Sequence, residues 1–280
     1  MNHEIRLSTG SFPGGNLEQA AAYIKKIDYD GLELVPLKPI TRQIKEAIAA
    51  HGQDWADYLP GLERVRSVHH SWKLDNDLER SHGVKPSPLN HILRMILFPP
   101  IHDSSEAVAA IAQARHVPVI IHDISSQWTQ DIGGQEFTGG LGLEISSHLT
   151  RSVDEVQAWL ERKQHHLVAD TRDDQAIVWA QKKSCVADWQ KLWNFFGLEK
   201  IRNIQLTLIG KQGMRKILAG QETLAEKQFL WLHHQNWQGS ITVEVNPLTL
   251  YTTTRGYLAS GLNIFSQFIH TTLDQGQNWS

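Results

Sequence analysis

Residues 141–170 read LGLEISSHLTRSVDEVQAWLERKQHHLVAD and contain a complete strand–helix–strand unit. Apolar runs at Leu141–Ile145 and His166–Asp170 flank a segment with helical periodicity at residues 152–163. The apolar residues of both runs follow one another with little alternation, which is typical of parallel strands buried on both faces. The unit therefore predicts two parallel strands of one sheet, joined by a helix that covers the sheet.

The same unit recurs along the whole chain. The strand candidates are residues 5–9, 32–35, 65–69, 117–122, 141–145, 166–170, 201–207 and 241–245. The helix candidates are residues 17–27, 41–50, 104–115, 152–163, 188–196 and 223–235, with a long helix beyond Pro247. Asn16 and Ser104 are the predicted N-caps of the first and third helices. Eight such units predict an α/β fold, a (β/α)8 TIM barrel formed by residues 1–280 as a single domain.

Two connections depart from the repeat. Residues 123–140 contain several glycine-marked turns and at most a short helix, so we expect an irregular fourth unit. Residues 71–88 form a long insert after the third strand, which we expect to overhang the mouth of the barrel as a lid. An open doubly wound sheet is disfavoured because residues 10–15, after the first strand, fit neither the dinucleotide fingerprint nor the P-loop.

Composition and charge exclude several classes of protein. With 41% hydrophobic and 20% charged residues, the chain is typical of a folded globular protein. A formal net charge of −3 gives no general attraction to nucleic acid or to anionic lipid. The single cysteine, Cys185, excludes an intrachain disulfide, and no apolar run approaches the ~20 residues of a membrane span. We therefore expect a cytoplasmic protein with a small-molecule substrate and with no nucleic-acid or membrane partner.

Polar side chains end most of the predicted strands. They are His69, His122, Glu144, Asp170, Gln205 and Glu244. Because the carboxyl ends of parallel strands form the active-site mouth of a barrel, we expect these side chains to converge there. Carboxylates that lie close together repel one another, so a cation is the natural compensation. The four oxygen donors Glu144, Asp170, Gln205 and Glu244 predict a site for a hard divalent cation.

Two questions about this site stay open at the level of the residues. Arg172, Lys211 or Arg215 could neutralise the acids instead of a metal. His69 and His70 are adjacent, so only one of them faces the barrel axis and the other packs elsewhere. The pairs His165-His166 and His233-His234 are interpreted as structural.

The ordered strand ends resemble the xylose-isomerase-like, endonuclease-IV-like superfamily of TIM barrels, which contains sugar phosphate isomerases and epimerases. The segments that carry the resemblance are YDGLELVP (29–36), RSVHHSW (66–72), VPVIIHDI (117–124), LGLEIS (141–146), LVADTRDD (167–174), IRNIQLTLIG (201–210) and WQGSITVEVNP (237–247). The resemblance implies that Glu144, Asp170, Gln205 and Glu244 hold one divalent cation. It also places His69 in a metal or substrate position.

The chain departs from this family at several positions. Gln205 stands where the family has a histidine, and Asp173, Leu208 and Arg215 replace further residues of the multi-zinc cluster. These departures disfavour a three-zinc nuclease. Because Gln205 offers an oxygen rather than an imidazole nitrogen, manganese or magnesium is predicted in preference to zinc, or no metal at all if the site has decayed.

The resemblance implies a metal-dependent isomerase or epimerase acting on a small sugar or polyol-like carbonyl compound. The reaction would be a proton transfer through a metal-stabilised enediolate, and a lyase or dehydratase on the same site is equally compatible. Glu144 and Glu244 are the predicted base and acid. The predicted substrate contacts are His69, His122, Arg172, Lys73 and Glu33. The main alternative is a catalytically decayed barrel that acts as a metal-free sugar-binding or interaction protein, and an abasic-site endonuclease is a less favoured third.

Overall fold

Eight parallel strands close into a barrel in which each strand pairs with the next and the last pairs with the first. The computed structural model describes residues 3–11, 16–70, 101–122, 124, 137–145, 151–162, 164–170, 189–208, 224–245, 267 and 269–271. The strands are β1 (Ile5–Ser8), β2 (Gly31–Leu34), β3 (Val65–His69), β4 (Val119–Ile121), β5 (Leu141–Ile145), β6 (His166–Asp170), β7 (Ile201–Leu208) and β8 (Ser240–Val245). The predicted (β/α)8 barrel is confirmed.

Six helices of the described residues lie between these strands. They are α1 (Leu17–Ile24), α2 (Lys38–His51), α3 (Ile101–Arg115), α4 (Val153–Leu160), α5 (Trp189–Phe196) and α6 (Leu224–His234). Short 3-10 helices occur at Thr9–Ser11, Gly52–Tyr58, Leu62–Arg64 and Leu198–Lys200. None of the helices in this part of the chain is both long and apolar enough to cross a membrane.

The ends of the helices show where local sequence signals succeeded and where they failed. Asn16 caps α1 as predicted, because its side chain accepts a hydrogen bond from the Gln19 backbone N–H while the Gln19 side chain reaches back to Asn16. The predicted cap at Ser104 is wrong. Helix α3 starts three residues earlier, at Ile101, and the Ser104 side chain is buried within its first turn.

The outer faces of the strands pack under the helices. Val119 and Ile121 of β4 and Leu143 of β5 are buried in the same core cluster as Ile111 of α3. His70, the residue after β3, joins this layer, because its Nε2 lies 2.9 Å from the buried Ser105 hydroxyl of α3. His70 therefore packs outward, while its neighbour His69 faces the barrel interior, as the strand geometry predicts.

Several sequence predictions fall outside the described residues. They include the insert at residues 71–88, with its expected lid function, and most of the irregular unit at residues 123–140. The long helix expected beyond Pro247 is described only at residues 267 and 269–271, which are helical.

Candidate active site

Five ionisable side chains meet inside the carboxyl-end mouth of the barrel, and we call them the mouth cluster: Glu33, His69, His122, Glu144 and Glu244. His69 ends β3, His122 follows β4, and the three glutamates lie on β2, β5 and β8. His69 is at the centre, because it belongs to both groups of potential metal ligands found among the described residues. One group contains His69, His122 and Glu144, and the other contains Glu33, His69 and Glu244.

The first group is compact. His69 Nε2 lies 3.0 Å from His122 Nε2 and 3.3 Å from Glu144 Oε2. Glu144 Oε2 also lies 3.5 Å from His122 Nδ1. Two imidazoles and one carboxylate are therefore within direct contact of one another.

These distances fit a bound divalent cation. In a tetrahedral site with metal–ligand bonds of 2.0–2.1 Å, neighbouring ligand atoms are about 3.3 Å apart. The separations of His69 Nε2 from His122 Nε2 and from Glu144 Oε2 are close to this value. Two imidazole nitrogens and one carboxylate oxygen are also a donor set that proteins use for catalytic zinc.

Glu33 is the least exposed member of the mouth cluster, and it contacts His69. Its carboxylate is completely buried, at 0% exposure, and it is surrounded by hydrogen-bond donors. Gln205 Nε2 donates to Oε1 at 2.9 Å, and the hydroxyls of Ser67 and Thr242 donate to Oε2 at 3.2 and 3.3 Å. A buried carboxylate is tolerated only with such partners, so these residues hold Glu33 in one orientation.

The position of Glu33 fixes the orientation of His69. Nδ1 of His69 lies 3.3 Å from Glu33 Oε1, so it carries a proton toward the carboxylate, and Nε2 is directed at His122 and Glu144. Burial alone lowers the pKa of His69. Hydrogen bonds that His69 donates to Glu144 and Glu33, together with the charges of Glu244 and Glu33, outweigh burial and hold the pKa well above its ordinary value. Without a metal, His69 is thus the cation of the cluster.

The residues predicted as metal ligands and substrate contacts do not all lie in one group in the structure. Glu144 and Glu244 both approach His69, but they belong to different groups. Gln205 lies beside Asp170 in the strand register, and its amide nitrogen is bound to Glu33, which leaves only its carbonyl oxygen for a metal. The side chain of Asp170, and Lys73 and Arg172 as a whole, lie outside the described residues. Glu33 is enclosed by protein donors, which favours an orienting function over the predicted contact with substrate.

Sequence reasoning missed the polar interior beneath the cluster. Asn203 donates to the hydroxyls of Ser240 and Thr242 at 2.8 and 2.9 Å, and Thr242 in turn donates to Glu33. A signal was present, because Asn203 and Gln205 alternate with apolar residues on β7, as Ser240, Thr242 and Glu244 do on β8. Alternation of this kind indicates that one face of the strand contacts polar groups and the other face contacts apolar groups.

Comparison with solved structures gives the same architecture. L-ribulose 3-epimerase has a TM-score of 0.55 with 14% sequence identity, covering 99% of this chain and 96% of that one. The IolI protein, whose structure contains a bound zinc atom, has a TM-score of 0.54 with 11% identity, covering 97% and 98%. A xylose isomerase domain-containing protein from Salmonella typhimurium LT2 has a TM-score of 0.53 with 10% identity, covering 98% and 99%. The chain shares the closed eight-stranded barrel fold of these proteins.

The resemblance stated from the strand ends is confirmed for the fold. No protein family model matches the sequence, and no curated protein matches it at a significant level. At these identities the structural likeness establishes the architecture, whereas the chemistry must be argued from the mouth cluster.

Proposed function

We propose that the protein is a divalent-metal-dependent isomerase or epimerase acting on a small sugar-like carbonyl compound. The observation that carries the proposal is the convergence of His69, His122 and Glu144 at the barrel mouth, with contacts of 3.0 and 3.3 Å from His69 Nε2. This mouth is where barrels of this kind carry their active sites. The structural neighbours include an epimerase and a zinc-containing protein of the same fold.

His69, His122 and Glu144 would hold the metal, and Glu33 would fix the ring of His69 behind it. When bound, a divalent cation polarises the substrate oxygens next to the reacting carbon and so makes a neighbouring C–H more acidic. Two imidazole donors favour zinc or a similar late metal. Manganese or magnesium stays a prediction for the alternative oxygen set, Glu144, Asp170, Gln205 and Glu244.

Glu244 is the best placed base for the proton transfer. It lies at the carboxyl end of β8, in the group with Glu33 and His69 rather than in the group with Glu144, and it is only partly buried. A carboxylate there can accept a proton from substrate carbon and return it to the neighbouring carbon on the same face. Inversion at a single carbon requires a second acid on the opposite face, and Glu144 stays the prediction for that group. His122, which is also partly exposed, is assigned to the metal in place of its predicted contact with substrate. A small-molecule substrate rather than a nucleic acid is supported by the net charge of −3.

Solvent exchange tests the reaction class without knowledge of the exact substrate. Purified protein loaded with zinc or manganese is incubated in D2O with a panel of ketoses, aldoses and their phosphates, and deuterium at the carbon next to the carbonyl is measured by mass spectrometry. We expect incorporation into at least one compound, and its loss in Glu244→Gln. The matched control is Glu4→Gln, a glutamate at the opposite end of the barrel, which keeps the activity. No exchange with any compound and either metal contradicts the proposal, as does full exchange in Glu244→Gln.

One observation favours a second candidate, a metal-free barrel that binds a sugar. A protonated His69 between Glu33 and Glu144 neutralises part of the acidic charge without any metal. In that case the protein binds a carbohydrate without turnover, and dialysis against a chelator leaves its affinity unchanged. Loss of carbohydrate binding after chelation, with recovery on adding metal, excludes this candidate.

A further inference from the structure

A second cavity lies at the opposite end of the barrel, around the amino ends of the strands. Its volume is about 840 Å³, which is within the range of small-molecule sites. Its wall contains side chains from five strands, namely Arg6, Ser67, His166, Asn203 and Ser240. Arg202, Glu4, Glu199 and residues 235–239 are also part of the wall. In most barrels this interior is filled by bulky branched residues, so a polar cavity here calls for an explanation.

Two guanidinium groups, Arg6 and Arg202, and two carboxylates, Glu4 and Glu199, line the cavity. Of the two carboxylates, Glu4 is already neutralised by two guanidinium groups. Arg6 Nη2 lies 2.6 Å from Glu4 Oε2, and Arg66 Nε lies 3.3 Å from Glu4 Oε1. Arg202 forms no ion pair with any described residue. Arg66 lies outside the cavity wall, and the second carboxylate of the wall, Glu199, is exposed. Arg202 is therefore the guanidinium of the wall that is left for a ligand.

His166 adds a hydrogen-bond acceptor to the same wall. It is 3% exposed, and its Nδ1 donates to the backbone carbonyl of Gln164 at 3.2 Å, so Nε2 carries the lone pair. Burial lowers the pKa of His166 to about 4, and the charges of Arg202 and Arg6 add to this effect. The histidine is therefore neutral near pH 7.

A glycine keeps the edge of this ring uncovered. A Cβ at Gly142, on the neighbouring strand β5, would lie 2.7 Å from His166 Nε2 and 3.0 Å from Val168 Cγ2. Any side chain at this position would press against the acceptor nitrogen. The arrangement thus combines guanidinium donors, a neutral imidazole acceptor and enough volume for a small molecule.

We propose that this cavity is a binding site for a small hydroxylated anion, distinct from the mouth cluster. Arg202 binds its oxyanion group, because a guanidinium pairs with carboxylate or phosphate oxygens in a fork. A hydroxyl of the ligand donates to His166 Nε2. A sugar acid and a sugar phosphate share this chemistry, so both kinds of anion are tested.

Histidine NMR measures binding at this site directly. The protein is labelled at its histidine rings, and the His166 resonances are assigned by their loss in His166→Gln. D-gluconate and glycerol 3-phosphate are titrated separately, and uncharged glycerol serves as the ligand control. We expect one of the two anions to shift the His166 resonances in a saturable way, and glycerol to leave them unchanged. The better of the two anions identifies the oxyanion that the site prefers.

Two variants show where the anion binds. Arg202→Gln, which removes one exposed guanidinium, should weaken binding about tenfold or more, as expected for a hydrogen bond to a charged group. Arg64→Gln is the matched control, since Arg64 lies on the same end of the barrel but not in the cavity wall. Glu144→Gln in the mouth cluster should leave the affinity unchanged, so this test does not depend on the proposed reaction. The proposal is overturned if neither anion shifts His166, or if Arg202→Gln binds as tightly as Arg64→Gln.

Discussion

Nδ1 of His69 lies 3.3 Å from Oε1 of Glu33, and both side chains are almost completely buried. This contact joins the interior of the barrel to its mouth, because the other ring nitrogen of His69 faces His122 and Glu144. Glu33 therefore determines how the central histidine of the cluster presents its Nε2 lone pair. Carboxylates behind a ligating histidine commonly fix its orientation in this way.

Replacing Glu33 tests this orienting function. In Glu33→Gln we expect the zinc affinity to fall about tenfold to hundredfold, because the new amide no longer holds the His69 ring as a carboxylate does. Competition with a chromophoric chelator measures the affinity, and circular dichroism shows whether the fold is retained. Glu4→Gln, at the far end of the barrel, should bind zinc like the wild type. A folded Glu33→Gln protein with unchanged zinc affinity would show that Glu33 does not orient His69.

The Thr242 hydroxyl provides a test of the hydrogen bonds around Glu33. Thr242→Val keeps the shape of the side chain but removes a donor to a buried carboxylate, and we expect a loss of about 1.5–3 kcal/mol in the free energy of unfolding. Thr41→Val is the control, because the buried Thr41 hydroxyl donates to the neutral backbone carbonyl of Pro36 at 3.2 Å. Its expected loss is about 0.5–1.5 kcal/mol. Urea unfolding compares the two, and equal losses would mean that the Thr242 hydroxyl contributes no more than a hydroxyl bonded to a neutral carbonyl.

His166 predicts a pH dependence of stability that is independent of the mouth cluster. Its pKa is lowered from 6.5 to about 4, so between these values the unfolded chain binds more protons than the folded chain. The contribution of neutral His166 to the free energy of unfolding is fully present above about pH 6.5, and it is lost as the pH falls toward 4. A shift of this size corresponds to about 3 kcal/mol.

Urea unfolding at several pH values measures this loss. The difference in unfolding free energy between wild type and His166→Gln should change by about 3 kcal/mol from pH 7 to pH 4. His51→Gln, which replaces an exposed histidine, should follow the wild type throughout. Parallel curves for wild type and His166→Gln would mean that folding leaves the pKa of His166 unchanged.

The barrel could be predicted from the sequence because each strand is indicated by a short, continuous segment of the chain. Buried parallel strands are recognisable from their apolar runs, and the residue that ends each run follows directly, as it does for His69 and Glu144. Cross-strand contacts are different. Gln205 and Glu33 are 172 residues apart in the chain, and their hydrogen bond depends on strand register and on barrel closure. No local pattern encodes this pairing, so the sequence indicates Gln205 only as a metal ligand.

The strand register also explains why the interior function of Glu33 was not anticipated. The pairing of β2 with β3 shifts between Leu32 and Glu33, and this irregularity brings Glu33 opposite Ser67. The shift cannot be read from the apolar pattern, which is satisfied by either register. The polar layer around Glu33 thus emerges only from the three-dimensional structure.

The most direct test of the account is the first coordination shell of the bound metal, measured by X-ray absorption at the zinc edge of the zinc-loaded protein. We expect one zinc ion per chain, with two imidazole nitrogens at about 2.0–2.1 Å and carboxylate oxygen completing the shell. The imidazole signal should decrease by half in His122→Gln. A protein that binds no zinc, or a shell with oxygen ligands and no imidazole, would contradict the assignment of His69, His122 and Glu144 as the metal site.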